Sequence, residues 1–332
     1  MHLIVGPGHH GVVRFGVELD DALLGDRCTV QRRLPGAEDL PGADFAPGQG
    51  IHLQFTDRLF GRDARAAAAT VDALLARVRG GGGRCSATLH DIPQPSDGNN
   101  HQVRAEAYAR LCRSLDAVVV ASEHERKLLS DIGVDRSVTV IPLPIAPSAP
   151  PHTPGPGPST VAVFGFVYPG KGHAEVLKAV TELPPDVGMV AIGAASVGHD
   201  DLVDELHRTA QAANRRFVVT GHIPEEALAS RLRGVTVPVV HHRHVSASGS
   251  LNSWMSAGRR PLAAATRYVR EIAARNPHAV SLYPDDEQGL SAAIRAALAE
   301  PASTWLAPGT VCSPSPDEVA RCYRRLIRSV HR

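Results

Sequence analysis

The sequence predicts an α/β protein of two doubly wound, parallel-sheet domains, and three observations carry that prediction. Short β-branched runs alternate with amphipathic stretches along the chain, the pattern of repeated βαβ units. A length of 332 residues at 43% hydrophobic content is ample for two cores and awkward for one. Near the middle, PLPIAPSAPPHTPGPGPS at 142–159 interrupts the alternation with eight prolines, and the alternation then restarts.

Taken in order, the first domain offers strands at HLIVG (2–6), TVQRRL (29–34), IHLQF (51–55), CSATLH (85–90), DAVVVAS (116–122) and VTVIP (138–142). Helices are expected at 63–79, 103–115 and 123–132, with Ser122 before EHERKLL as an N-cap. GGGG at 80–83 reads as a flexible connector between helix and strand. The proline tract is stiff and extended, as an interdomain linker is. Strands resume at TVAVFGF (160–166), VGMVAIG (187–193), RFVVTG (216–221), VTVPVV (235–240) and AVSLY (279–283). Finally, DEVARCYRRLIRSVHR sets Val319, Cys322, Tyr323, Leu326, Ile327 and Val330 on one helical stripe. The favoured reading is a closing helix that packs back across the domains. In the second reading, Arg321, Arg324, Arg325 and Arg328 give it a weak peripheral contact with an anionic membrane. The expected divisions are 1–142, a linker at 143–159, a second domain at 160–315, and the helix at 316–332.

A formal charge of +1 and 4% aromatic content argue against a nucleic-acid partner, which needs a basic surface or stacking platforms. The five cysteines, Cys28, Cys85, Cys112, Cys312 and Cys322, are scattered without a Cys-x-x-Cys pair, which fits a reducing cytoplasm. MHLIVGPGHHG has the wrong charge and too short an apolar run for a secretory leader.

Ligands of open α/β sheets bind beyond the carboxyl ends of the strands, so two such sheets facing across a cleft would gather their informative residues there. GPGHHG at 6–11 formally matches the dinucleotide fingerprint after a strand. Arg32 and Arg33 on the second strand would suit a 2′-phosphate, so an NADP-dependent two-domain oxidoreductase is one reading. At FGFVYPGKGH, 164–173, one of only three lysines in the chain, Lys171, stands between Gly170 and Gly172. A flexible ammonium beside closely approachable backbone suits a phosphate. His242 and His244 in HHRHVSASGS would share one face of a strand, but no acidic or Cys partner is close in sequence, so a metal is not expected.

FGFVYPGKGHAEVLKAV resembles the glycine-arginine to lysine-glycine segment of the family 4 retaining glycosyltransferases, which carry the GT-B fold. SATLHD (86–91), DAVVVASEHERKLL (116–129), VTVIPLPI (138–145), VVTGHIPEEALASRLR (218–233), SASGSLNSWMSAGRRPL (246–262) and YVREI, followed by LYPDDEQGLSAAI, fall in the family's order. The resemblance implies transfer of a sugar from a nucleotide-diphosphate donor held mainly by the second domain to an acceptor held mainly by the first. It needs no cofactor, and the missing Asp-x-Asp speaks for metal independence. Lys171 and His90 would be the catalytic pair. The donor would be met by Gly165, Gly170, Gly172, Gly221, Arg243, Ser246, Ser248, Gly249, Ser250 and Leu251. Gly8, His9, His10, Gly11 and Asp91 would line the acceptor side. Phe166 stands where the family has an arginine, a loss that Arg243 or Arg14 would have to cover. Ser246 and Asn252, Ser253 or Trp254 stand near the family's two glutamates. Glu271 is the nearest later carboxylate and could instead cap a helix. A catalytically silent sugar-nucleotide binder is the non-enzymatic alternative.

Overall fold

The structure, a computed structural model, describes residues 1–23, 31–147 and 159–330. Cys28, most of the proline tract and the last two residues lie outside the described residues. The chain divides into two compact units, Met1–Pro144 with Pro314–Arg332, and Ile145–Ser313.

In chain order the first unit contains β1 (His2–Val5), α1 (Gly11–Leu23), β2 (Gln31–Leu34), β3 (Ile51–Phe55), α2 (Asp57–Phe60), α3 (Ala64–Gly80), β4 (Cys85–Leu89), α4 (His101–Ser114), β5 (Ala117–Val120), α5 (Glu123–Asp131) and β6 (Thr139–Val140). The second contains β7 (Thr160–Phe164), α6 (His173–Thr181), β8 (Gly188–Ile192), α7 (Asp200–Ala212), β9 (Phe217–Val219), α8 (Glu225–Arg233), β10 (Val237–Val240), α9 (Gly249–Ser256), β11 (Leu262–Ala264), α10 (Arg267–Arg275), β12 (Ser281–Tyr283) and α11 (Glu287–Ala299). The last helix, α12 (Pro316–Val330), returns to the first unit.

Both sheets have six strands, every pairing parallel, in the orders β2-β1-β3-β4-β5-β6 and β12-β11-β10-β7-β8-β9. The sequence reading missed β11, because LAA after a proline is too short to register as a strand. Helix starts follow local chemistry: Ser122 accepts from Glu125 N at 3.0 Å and Asp63 from Ala66 N at 2.8 Å, each satisfying one otherwise unpaired amide.

In the first unit the two faces of β3 and β4 differ. Ile51, Leu53, Phe55, Cys85, Ala87 and Leu89 pack on Val71, Leu74 and Leu75 of α3 and Tyr108 and Leu111 of α4. The opposite face carries His52, Gln54, Ser86 and Thr88, together with His2 of β1 and His90 just past β4, and all six are buried. These polar groups satisfy one another: His52 bonds Ser86 Oγ at 2.9 Å and Thr88 Oγ1 at 3.0 Å, and Thr88 Oγ1 lies 2.8 Å from Tyr323 Oη of α12.

The apolar stripe of α12, Val319, Ala320, Tyr323 and Ile327, buries against Phe15, Leu19 and Leu23 of α1. Cys322 falls off that stripe and is exposed. The apolar face that a membrane contact would use is therefore already covered. Among the described residues no helix is long and apolar enough to cross a membrane.

Candidate functional site

Counted within the second unit, the strand order reads 6-5-4-1-2-3, so the order in which strands are added reverses between β7 and β10, which remain parallel. A crevice opens outside the carboxyl ends at such a switch point. The loop after β7 is GFVYPGKG and the loop after β10 is HHRHVSAS. Arg243 N donates to Gly170 O at 2.9 Å and ties the two loops together.

Two glycines there have steric reasons. Gly172 sits at φ +92 and a Cβ would come within 2.1 Å of His241 O; Gly165 sits at φ +119 and a Cβ would press on Lys171 Nζ at 2.9 Å. The bare Gly165 backbone thus leaves room for the Lys171 side chain, which is only 7% exposed. Its Nζ donates to Ser250 Oγ at 3.0 Å, and among the described residues it has no carboxylate partner. Burial pushes its pKa down to about 8, as expected of an ammonium taken out of water without a compensating anion.

Around this cation the start of α9 is built from hydroxyls. Ser248 caps the helix, accepting from Leu251 N at 3.2 Å, and its own N–H donates to Tyr268 Oη at 2.9 Å. Ser250 Oγ lies 3.2 Å from Ser248 Oγ and 3.4 Å from His242 Nε2. His242 and His173, the first residue of α6, are buried, and among the described residues His173 has no hydrogen-bond partner at either ring nitrogen. Burial, with Lys171 next in effect, holds His242 well below the usual histidine range and His173 at about 3. Both imidazoles are neutral, so Lys171 is the positive charge of this cluster.

The remaining donor-side expectations divide. Gly165, Gly170, Lys171, Gly172, Ser248 and Ser250 come together, and Ser246 and Leu251 are buried beside them in sequence. Gly249, at the first position of α9, is exposed. Arg243 faces Glu175 at 4.0 Å and Asp285 at 3.6 Å, so its guanidinium is already engaged. Gly221 follows β9, two strands from β7. Glu271 is not a cap; it lies inside α10 and pairs with Arg275 at 3.0 Å, while Thr266 caps that helix. β10 stops at Val240, so His242 and His244 sit in the loop beyond it, one turned inward and the other exposed, and the shared strand face is absent. Among the described residues no three His, Cys, Asp or Glu side chains converge as a metal site. His173 and Tyr268 were missed, although His173 directly follows Gly172 in the motif already singled out.

In the first unit the corresponding residues also gather at strand ends. His90 Nε2 bonds Gln54 Oε1 at 2.9 Å, its carbonyl accepts from Tyr108 Oη at 2.8 Å, and Phe15 packs edge-on at 5.6 Å. Burial lowers the His90 pKa to about 4, with Asp91 opposing and His10 adding to the effect. His10, Asp91 and His90 are therefore electrostatic neighbours, and His10 is itself lowered, chiefly by burial. Asp91, at φ +51, accepts from Thr56 Oγ1 at 3.0 Å. Arg104 fixes the surrounding loop through Asp57 at 2.8 Å, Asp97 at 2.5 Å and the Asp91 carbonyl at 2.7 Å. His9 is exposed. Gly8 and Gly11 have open space where a Cβ would go. The third glycine of a dinucleotide fingerprint serves close packing of helix on strand; Gly11 makes no such contact, so the match of GPGHHG is formal only.

No family model and no curated protein sequence matches the chain. Solved structures do. Anabaena Alr3699/HepE in complex with UDP and glucose superposes with a TM-score of 0.76 at 15% identity, covering 99% of each chain. The fold is GT-B. Sucrose-phosphate synthase from Thermosynechococcus elongatus gives 0.71 at 15% identity, again over 99% of both chains. The pneumococcal O-GlcNAc transferase GtfA, in complex with UDP and GlcNAc, gives 0.65 at 13% over 89% of this chain and 59% of that one. In GT-B terms the two six-stranded sheets are its two Rossmann-like domains.

Proposed function

We propose that the protein transfers a sugar from a nucleotide-diphosphate donor, held by the second unit, to an acceptor held by the first, with retention of anomeric configuration and without a metal ion. The observation that carries this reading is Lys171, a buried ammonium that among the described residues has no carboxylate partner, at the switch point between β7 and β10. An uncompensated buried cation is costly unless an anion joins it. As the bond from sugar to phosphate breaks, charge builds on the leaving diphosphate, and a fixed cation there stabilises the transition state more than the ground state. The start of α9, with the amides after Ser248, adds donors on the same side.

His90 would serve the sugar substrates as a neutral hydrogen-bonding group, since it is uncharged above about pH 4. The solved HepE structures hold UDP, glucose or UDP-glucose, so a uridine diphosphate sugar is the first donor to try. Phe166, 43% exposed, offers no phosphate contact where the family resemblance expects an arginine, which leaves Lys171 the principal charge toward the diphosphate. Cys85, Cys112, Cys312 and Cys322 are unpaired among the described residues, in keeping with the cytoplasmic setting expected from the sequence.

The test is a thermal-shift panel of nucleotide sugars and NADPH, followed by transfer and donor-hydrolysis assays. A nucleotide sugar at a hundred times its dissociation constant should add about 2.7 kcal/mol of stability, turn over, and keep turning over in chelator. Stabilisation by NADPH alone contradicts the proposal in favour of the oxidoreductase. Stabilisation by a nucleotide sugar with neither hydrolysis nor transfer contradicts it in favour of a silent binder. Replacing His90 with Ala should lower turnover by roughly ten- to a thousandfold with donor affinity nearly unchanged.

A further inference from the structure

Within the polar layer under α1 and α12, one hydrogen-bonded series ends on His90. Asp20 of α1 bonds His2 Nδ1, Gln54 Nε2 lies 3.0 Å from His2 Nε2, and Gln54 Oε1 lies 2.9 Å from His90 Nε2. Exposure grows along the series, from 0% at Asp20 and His2 through 1% at Gln54 to 7% at His90. The series thus leads from the sealed interior to the strand end where the site expectations cluster.

Donor and acceptor rules give the series one direction. A carboxylate only accepts, so His2 presents an N–H from Nδ1 to Asp20, and a ring that carries that one proton accepts at Nε2. The Gln54 amide nitrogen answers that lone pair. Its carbonyl oxygen is left facing His90, whose Nε2 must carry the hydrogen. Turning the amide over would set oxygen against the His2 lone pair and leave a buried group unsatisfied on each side, which costs far more than one bond gains.

We propose that Asp20, His2 and Gln54 are positioning residues that lock His90 in its Nε2–H tautomer, leaving Nδ1 as the ring's one acceptor for a hydroxyl of the sugar substrates. The substrate part of this statement rests on the transfer reading above; the tautomer part does not. Two further contacts restrict the same ring and backbone, Phe15 edge-on at 5.6 Å and Tyr108 Oη on the His90 carbonyl at 2.8 Å. With both ring and tautomer fixed, no reorientation is required of the group when substrate binds.

The test is nitrogen NMR on histidine-labelled protein, with the His90 signals identified by their loss in His90→Gln. The wild type should show a protonated Nε2 and a bare Nδ1 from about pH 5 to 8. In Gln54→Leu the single tautomer should give way to an exchanging mixture, and kcat for transfer should fall about tenfold or more while donor KM stays within about twofold. In Gln54→Glu, whose carboxylate still accepts from Nε2, the tautomer should persist and His90 should titrate at least about one pH unit higher. A wild-type His90 protonated at Nδ1 overturns the proposal, and this measurement needs no variant to fold. So does a folded Gln54→Leu protein with the tautomer and kcat both unchanged. A locked tautomer in a protein that transfers no sugar upholds the relay and removes the transfer reading instead.

Discussion

Strands β7 and β8 of the second unit bury Val161, Val163, Met189 and Ala191 on one face and Ala162, Val190 and Ile192 on the other. Strands β3 and β4 of the first unit bury apolar residues on one face, but His52, Gln54, Ser86 and Thr88 on the other. Parallel strands covered by helices on both sides ordinarily read as continuous apolar runs; the first unit departs from that rule and answers the polar atoms with Asp20 of α1 and Tyr323 of α12. In the second unit both faces of these strands are apolar, and Lys171, beyond the end of β7, has no countercharge among the described residues. One sheet thus carries its polarity in the interior as a connected network, and the other presents it where a ligand can reach.

That contrast is sharpest for a buried charge that needs no ligand. Arg259 is fully buried and donates to the carbonyls of Leu232, Arg233, Val235, Thr236 and Thr304 while lying 4.1 Å from the Trp305 ring centroid. Arg259→Met removes a donor from the Leu232, Arg233 and Val235 carbonyls, while Thr236 and Thr304 keep Thr304 Oγ1 and Arg260 N, and should cost roughly 3 to 5 kcal/mol of second-unit stability, read by denaturant melting. A loss under about 1 kcal/mol would mean that these carbonyls find other partners.

Next in size is the polar layer of the first unit. Thr88→Val takes a partner from both Tyr323 Oη and His52 Nε2, whereas Tyr323→Phe leaves Thr88 its bond to His52; the first should cost about 1 to 3 kcal/mol and the second about 1 kcal/mol. In the double variant the losses should fall short of their sum, because both remove the same bond. Full additivity would mean that the 2.8 Å contact contributes nothing of its own.

The pH dependence should separate the units. Lys171, with its pKa lowered to about 8, is mostly charged at neutral pH and loses its proton as pH rises through that value. Donor affinity should therefore be level below about pH 7 and fall by up to about tenfold per unit above 8. His90 stays neutral across that range and contributes no inflection there. The smallest effect is expected for Lys178→Ala, which removes an exposed pair with Glu287 and should leave the melting midpoint unchanged within error.

Much of this was legible in the sequence. The runs TVAVF and GMVAI and the cap at Ser122 mark their elements by local chemistry alone, and GKG drew attention to Lys171 because two glycines flank a rare lysine. The interior network was not legible. IHLQF and CSATLH alternate apolar and polar residues as a half-solvated strand does, and the residue that covers the polar face, Tyr323, lies 235 positions from Thr88. β10 ends at Val240, where the run VTVPVV at 235–240 also ends, so the strand face expected for His242 and His244 had no strand to carry it.

The central claim is that Lys171 is the cation of a diphosphate site. Its most direct test is calorimetric titration of UDP into the wild type and into Lys171→Met, at pH 7 and again at pH 9. The account predicts binding to the wild type at pH 7, a loss of roughly thirtyfold or more in Lys171→Met, and a gap between the two proteins that narrows at pH 9 as the ammonium loses its proton. Equal affinity of the two proteins for UDP at pH 7 would contradict it.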